Sequence, residues 1–360
     1  MLEGVTVIDF SHYLPGPFAS LRLADLGAEV IKIEPKTGDM MRSLAEECVF
    51  YANNAGKKSI ALDLKNAQDL QTAKQLIRKA DVIIESFRPG VMRRLGLSYE
   101  DIRTINETVI YCSISGFGQQ SEHSLLGSHD LNYMAITGVL AQLKDQEGRP
   151  VHPAITFADL IGSIHAVEQI IAALYHRERT GKGTYIDLSL VDGLLSLMMN
   201  HFVIEHDTGR KNGIDVLAGT IVSYHLYETK DGRYVSLAAL EKKFWENFCH
   251  AVGKPEWIFF HYSPAKEDNP IFQEIKCLFA TKTLQEWTEL SQTVDCCLAP
   301  VLETDEAKAL FANASYRKMI HLADGRIEVA TRYDETLLQK RKKAPALDEH
   351  GDLLRKGSDE

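Results

Sequence analysis

The chain has 360 residues, 45% of them apolar and 25% charged, with a formal net charge of −10. That length exceeds one ordinary core and suits two domains. The acidic balance leaves no basic footprint for nucleic acid, and no run of eighteen apolar residues offers itself to a membrane.

The opening, MLEGVTVIDF, has neither a basic leader nor a small-residue cleavage site and reads as the first strand, with VTVIDF as a buried, β-branched run. PGPFASLRLADLGAE follows as a helix that starts on prolines and stops at Gly27. EVIKIE and KKSIALDL are the next strands. AQDLQTAKQLIRKA is an amphipathic helix and DVIIESF a strand with a polar end. YEDIRTIN is a short helix, and TVIYCSISGFG a strand running into a glycine loop. A long helix is expected from Asp159 to about Arg179, with a stripe of Leu160, Ile164, Val167, Ile170, Ile171 and Leu174. The strand YIDLSL and the helix VDGLLSLMMNHFVIEH come next.

The pattern loosens at DTGRKNGID, a linker. SYHLYETKDGRYVSLAAL then reads as a hairpin turning at KDG. KKFWENFCHAVG and TLQEWTELSQTV are helices of a second, α+β unit. Strands alternating with helices in the first part imply a parallel sheet with right-handed crossovers. The expected division is a large domain over 1–190, a linker over 191–220, a small domain over 221–305, and a linker returning to the large domain over 306–360.

The six cysteines are Cys48, Cys112, Cys249, Cys277, Cys296 and Cys297, without zinc spacing, which fits a reduced, cytoplasmic chain. Cys112 and Cys249 sit in apolar runs and read as core.

Ligands on open parallel sheets bind at the carboxyl ends of the strands. Here those ends read DFSHYLPGP, IEPKTGD, IESFRPG and SISGFGQ, with neither GxGxxG nor a Walker lysine loop. Lys57, Lys58, Lys65, Arg88, Arg93 and Arg94 lie beside strand ends, where they serve either as solvated charge or as phosphate ligands. His129–Asp130 and Asp159 each precede an apolar helix. They read as ordinary caps, or as acid–base groups placed where free N–H groups hold Asp159 ionised and stabilise an oxyanion nearby. Glu241, before another helix, carries the same two readings.

Read in order, VIDFSHYLPGPFASLRLADLGAEVIKIEP, ADVIIESFRPGVMRRLGL, SISGFGQ, HDLNYMAITGVL, ADLIGSIHAVEQIIAALYHRERTGKGTYIDLSLVDG and YETKDGRYVSLAALEKKFW resemble the class III CoA-transferase family. The likeness is closest to its α-methylacyl-CoA racemase branch. It weakens after Ala312, where APVL and PALDEHGDLL resemble late motifs.

The resemblance implies an α/β fold: a Rossmann-like large domain with a parallel sheet, plus a smaller α+β domain, in an interlocked homodimer. It implies no cofactor beyond the coenzyme A of an acyl-CoA substrate, and no metal. By position, His129, Asp130, Asp159 and Glu241 match catalytic residues. Leu14, Pro15, Leu62, Lys65, Ser86, Phe87, Arg94, Leu95 and Tyr133 match residues around CoA. Pro35–Lys36 stands where relatives often have an arginine, and Ser128 is inserted before His129. The implied activity is racemisation of a 2-methylacyl-CoA. The alternative is CoA transfer between carboxylic acids through an anhydride on Asp159.

Overall fold

In the first part of the chain, strands β1 (Thr6–Asp9), β2 (Glu29–Glu34), β3 (Lys58–Ala61), β4 (Val82–Glu85), β5 (Ile110–Ser115) and β6 (Thr184–Ser189) pair in parallel. Their order across the sheet is β3-β2-β1-β4-β5-β6. The structure is a computed structural model that describes residues 1–145, 147–313, 319–323, 326–329 and 342–356.

Strand periodicity explains why these runs are almost wholly apolar. Val7, Val30, Val82, Ile84, Ile110 and Cys112 face one core, and Ile8, Ile31, Ile33, Ile83 and Tyr111 the other. Both faces are covered, so both sets of alternate residues are mainly apolar, and the polar exceptions, such as Lys32 and Ser113, are buried too. The first unit's helices are α1 (Pro15–Asp25), α2 (Cys48–Asn54), α3 (Ala67–Arg78), α4 (Val91–Arg94), α5 (Tyr99–Arg103), α6 (Asp130–Ile136), α7 (Phe157–Thr180) and α8 (Leu190–Leu197).

Helix α7 differs from the expected single stripe. Its buried face is made of small residues, Ala158, Gly162, Ser163, Ala166 and Ala173, with Val167 and Ile170. Gly162 permits the closest approach: a Cβ there would lie 2.3 Å from the Leu190 side chain. Ile164, Ile171 and Tyr175 instead point outward, at 47%, 40% and 63% exposure. By length and composition α7 could cross a membrane. Its small-residue face is nevertheless packed against α1, α8 and the sheet.

A second compact unit spans Met199–Leu310, and the first comprises Met1–Met198 with the described part of Phe311–Glu360. Residues 191–220, expected as linker, are largely helical: the chain breaks at Met198 and continues as α9 (Met199–Thr208). In the second unit, β7 (Tyr224–Glu228) and β8 (Tyr234–Ala238) form the expected hairpin, with Gly232 at φ +70° in its turn. A strand not foreseen, β9 (Leu298–Pro300), pairs with β8. Helices α10 (Lys242–Ala251), α11 (Pro270–Phe279) and α12 (Leu284–Thr293) pack on this sheet around Trp245, Trp257 and Trp287. Cys112 and Cys249 are both buried.

Helix α13 (Thr304–Ala312) leads back to the first unit, followed by the hairpin β10 (Ile320–Ala323) and β11 (Arg326–Val329) and by α14 (Gly351–Lys356). The segment before α14 closes the sheet edge at β3. The Ala61 N–H donates to Asp348 (2.7 Å), and the His350 N–H donates to the Ser59 carbonyl (3.0 Å). An exposed parallel edge is thereby satisfied by the PALDEHGDLL segment.

Candidate active site

A helix that crosses back between parallel strands runs antiparallel to them, so its N-terminus lies at their carboxyl ends. That rule places the start of α7 at the ligand side of the sheet. The start of α1 lies there too. The Ser163 hydroxyl reaches both the Pro15 carbonyl (2.6 Å) and the Asp159 carbonyl (2.5 Å), tying the two helix starts together.

Asp159 occupies the first turn of α7 and Asp130 the first turn of α6. Asp130 does not cap its own helix. Its carboxylate accepts from the Asp159 N–H (3.1 Å), and the N–H groups of Ala158 and Phe157 also point to it. This corrects the expectation that those N–H groups hold Asp159 ionised or cradle an oxyanion, because a neighbouring carboxylate already takes them. Asp159 therefore loses the benefit of its own helix terminus. Burial raises its carboxyl, the charge of Asp130 raises it further, and together they bring it to about 7. Asp130 is itself raised by burial, opposed by the three N–H groups.

His129 is the N-cap residue of α6 and is exposed. Its N–H donates to Asn132 Oδ1 (3.0 Å), and its carbonyl accepts from the Asn132 N–H (2.9 Å), which fixes the backbone that presents the ring. Tyr133, 7% exposed, donates its hydroxyl to the Ser128 carbonyl (3.1 Å), so the residue inserted before His129 is pinned rather than loose. Burial raises the Tyr133 phenol, with Asp159 and Asp130 adding to the shift, which sets all three groups in one neighbourhood. The glycine loop after β5 makes room for it: a Cβ at Gly116 would lie 2.2 Å from the Tyr133 hydroxyl. Glu241 belongs to the second unit, where it is the N-cap of α10 with no side-chain cap bond.

A cavity of about 390 Å³ opens at the carboxyl ends of β1 to β4. The expected residues Leu62, Lys65, Phe87 and Leu95 line it. So do Phe10, His12 and Ile33, which the sequence did not assign, and Lys36, next to the proline that stands where relatives often have an arginine. Their shared signal was position, at or just after the carboxyl ends of strands one and two. Ser86 stands behind the wall, its hydroxyl accepting from the His12 N–H (3.1 Å), and Phe87 meets the His12 ring edge-on with centroids 5.3 Å apart. Leu14 and Pro15 begin α1 and are not among the cavity's lining residues, nor is Arg94, an exposed residue of α4.

The remaining cations divide by burial. Lys57 is taken inside, donating to Asp9 (3.1 Å), Ser20 (2.8 Å), Asn54 (2.7 Å) and the Pro17 carbonyl (2.9 Å). Lys58 pairs with Glu29, and Arg88 donates to the Leu125 carbonyl. Lys36 lies at the cavity with its ammonium on the Ala61 carbonyl (2.9 Å) and Asp69 (3.1 Å).

The fold is α/β, with a parallel sheet of this order, a cavity at its strand ends and paired carboxylates at two helix starts. The chain belongs to CoA-transferase family III, whose profile matches residues 2–351. Among curated relatives it is 32% identical to the acetyl-CoA:oxalate CoA-transferase of Acetobacter aceti, over 98% of this chain and 95% of the relative. It is 31% identical to the succinyl-CoA:glutarate CoA-transferase of Mus musculus, over 97% and 84%. It is 33% identical to the α-methylacyl-CoA racemase of Mus musculus, over 85% and 79%. A solved CAIB/BAIF family protein from Brucella suis superposes with a TM-score of 0.85 at 25% identity, covering 99% of both chains.

Proposed function

We propose that the chain is a 2-methylacyl-CoA racemase that moves a proton between the two faces of the carbon next to the thioester. The observation that carries this reading is the arrangement at two helix starts: His129 is the N-cap of α6, and the Asp159 N–H at the head of α7 donates to Asp130 (3.1 Å), so that burial and Asp130 raise the Asp159 carboxyl to about 7. Such a group accepts and returns a proton near neutral pH, as two-way transfer requires.

In the forward direction one of Asp159 and His129 takes the α-proton. The C–H electrons pass to the thioester as an enolate, and the other group returns a proton to the opposite face. The CoA portion occupies the cavity lined by His12, Lys36, Leu62, Lys65, Phe87 and Leu95. The role of Glu241 in tuning His129 rests on the resemblance alone. Nothing beyond the CoA of the substrate is required as a cofactor, and the cysteine pattern supports a cytoplasmic chain.

Turnover requires one proton shared between Asp159 and His129. Rates therefore fall when pH adds a second proton or removes the only one, with one limb near neutrality. Both directions share that profile, because their ratio is an equilibrium constant. Asp130→Asn keeps an oxygen acceptor for the α7 N–H groups and removes the charge that lifts Asp159. The limb due to Asp159 is expected to move to lower pH in kcat/KM profiles, and an unmoved profile refutes this coupling.

Ile164, Ile171 and Tyr175 are exposed on one face of α7, an apolar stripe that supports a homodimer. Light scattering is expected to give a dimer mass for the wild type and a monomer mass for the variant Ile164→Glu with Ile171→Glu. A monomeric wild type refutes the dimer.

CoA transfer is the second reading, favoured by the oxalate and glutarate CoA-transferases named above aligning over more of this chain than the mouse racemase. Incubating a (2R)-2-methylacyl-CoA in D₂O separates the two. Deuterium at the α-carbon with loss of optical purity supports the racemase. CoA passing to a free carboxylate, with hydroxylamine capture at Asp159, supports the transferase.

A further inference from the structure

Behind the nucleotide cavity lies a buried acid that the reaction does not use. Glu85 is the last residue of β4, 3% exposed, and is not among the residues lining the cavity. Its carboxyl accepts from the Phe87 N–H at 2.8 Å and hydrogen-bonds with Ser113 of β5. Above it, the turn of Ser86, Phe87 and Arg88 reaches in three directions. Ser86 holds the His12 backbone, Phe87 forms cavity wall, and Arg88 grips the Leu125 carbonyl, in the loop leading to Ser128 and His129. One acid thus underlies the contacts that join the cavity to the loop presenting His129.

We propose that Glu85 is a positioning residue for CoA, setting the Ser86–Arg88 turn without touching the ligand. This rests on the CoA reading of the cavity given above. The titratable groups around Glu85 are Asp187 and Tyr185 of β6 and Tyr111 and Cys112 of β5. Burial raises the Glu85 carboxyl to about 7, with Asp187 adding and the Ser113 and Phe87 bonds opposing. Protonated, it still offers a carbonyl oxygen to Phe87. Ionised, it places a second negative charge beside Asp187 and under the site of an anionic nucleotide. A bound polyanion disfavours that ionisation, so by reciprocity the ionisation disfavours the polyanion. Affinity for CoA is therefore higher below neutrality and falls as pH rises through 7.

The test is calorimetric titration of the full chain with CoA, from about pH 6 to about pH 8.5, for wild type, Glu85→Ala and Glu85→Gln. Glu85→Ala removes the acceptor and is expected to weaken binding by at least about fivefold at all pH values. Glu85→Gln keeps an acceptor and cannot ionise. It is expected to match wild type at the acid end and to lose the wild-type decline toward the alkaline end. The phosphates of CoA titrate identically in both, so the difference between the two slopes belongs to Glu85.

Equal affinities for wild type and Glu85→Ala, or equal slopes for wild type and Glu85→Gln, overturn the role of Glu85 while leaving CoA binding intact. Should Glu85→Ala not fold, the Gln slope decides alone. A wild type that binds no CoA overturns both this role and the functional reading beneath it.

Discussion

Asp159→Asn is expected to slow racemisation of a 2-methylacyl-CoA by about 10²–10⁴-fold, the usual worth of one placed proton-transfer group. Asparagine keeps the shape at the head of α7 and removes only the ionisable proton, so CoA affinity should change little. His129→Ala is expected to cause a loss of similar size. The pair of results separates the two chemistries. A nucleophilic Asp159 would make Asp159→Asn inactive in CoA transfer and leave His129→Ala nearly intact. Full racemisation by His129→Ala removes the histidine from the mechanism and, with it, the two-base reading, whereas exchange confined to one enantiomer is what the remaining Asp159 base allows.

Lys57→Met is expected to destabilise the first unit by about 3–5 kcal/mol, the cost of leaving a buried charge without its partner. The reason lies under the β1–α1 loop. Asp9, fully buried at the end of β1, accepts from the Ser11 N–H (2.9 Å), from the hydroxyls of Ser11 and Ser20, and from Lys57 (3.1 Å). Next to it Lys32 bonds Asp39 (2.9 Å) and the Ser11 carbonyl (2.7 Å). Removing the lysine strands Asp9, whereas Asp9→Asn with Lys57→Met should recover much of the loss. The shift in the urea midpoint measures both, and an unaltered midpoint in the single variant contradicts the assignment.

The same network predicts an acid limb. Burial pushes the Asp9 carboxyl up, and Lys57, Lys32, Ser11 and Ser20 more than reverse it, leaving it at about 2. A carboxyl depressed in the folded state contributes stability that is whole above its unfolded value of about 4. That contribution is lost as pH falls toward 2. Asp39, also depressed, adds in the same sense.

Element type was legible in the sequence wherever the physics is local. VTVIDF, EVIKIE and YIDLSL are strands because alternate residues face two cores, and KDG makes a hairpin because Gly232 can take a positive φ. A cavity opens at the carboxyl-end loops, and four of the positions matched through the resemblance, Leu62, Lys65, Phe87 and Leu95, line it. Local pattern failed at α7, where a uniform apolar stripe was expected. Small residues are what close packing against Leu190 demands, and the larger Ile164 and Ile171 are left outside. It failed also at β9, three residues long, whose strand state depends on β8 being beside it.

By itself the sequence singled out His129, Asp130, Asp159 and Glu241 as candidates for chemistry, and it determined that the sheet would be parallel. Residue type and periodicity are properties of short stretches, so they can be read there. Only the tertiary structure decided what state those residues are in. Asp130 and Asp159 lie twenty-nine positions apart, and nothing local says that one carboxylate takes the helix N–H groups the other would have used. Lys57 reads as a phosphate cation until folding encloses it with Asp9, forty-eight residues away. Proton affinity and charge pairing depend on burial and on neighbours brought in by chain crossovers, and those exist only once the sheet has formed.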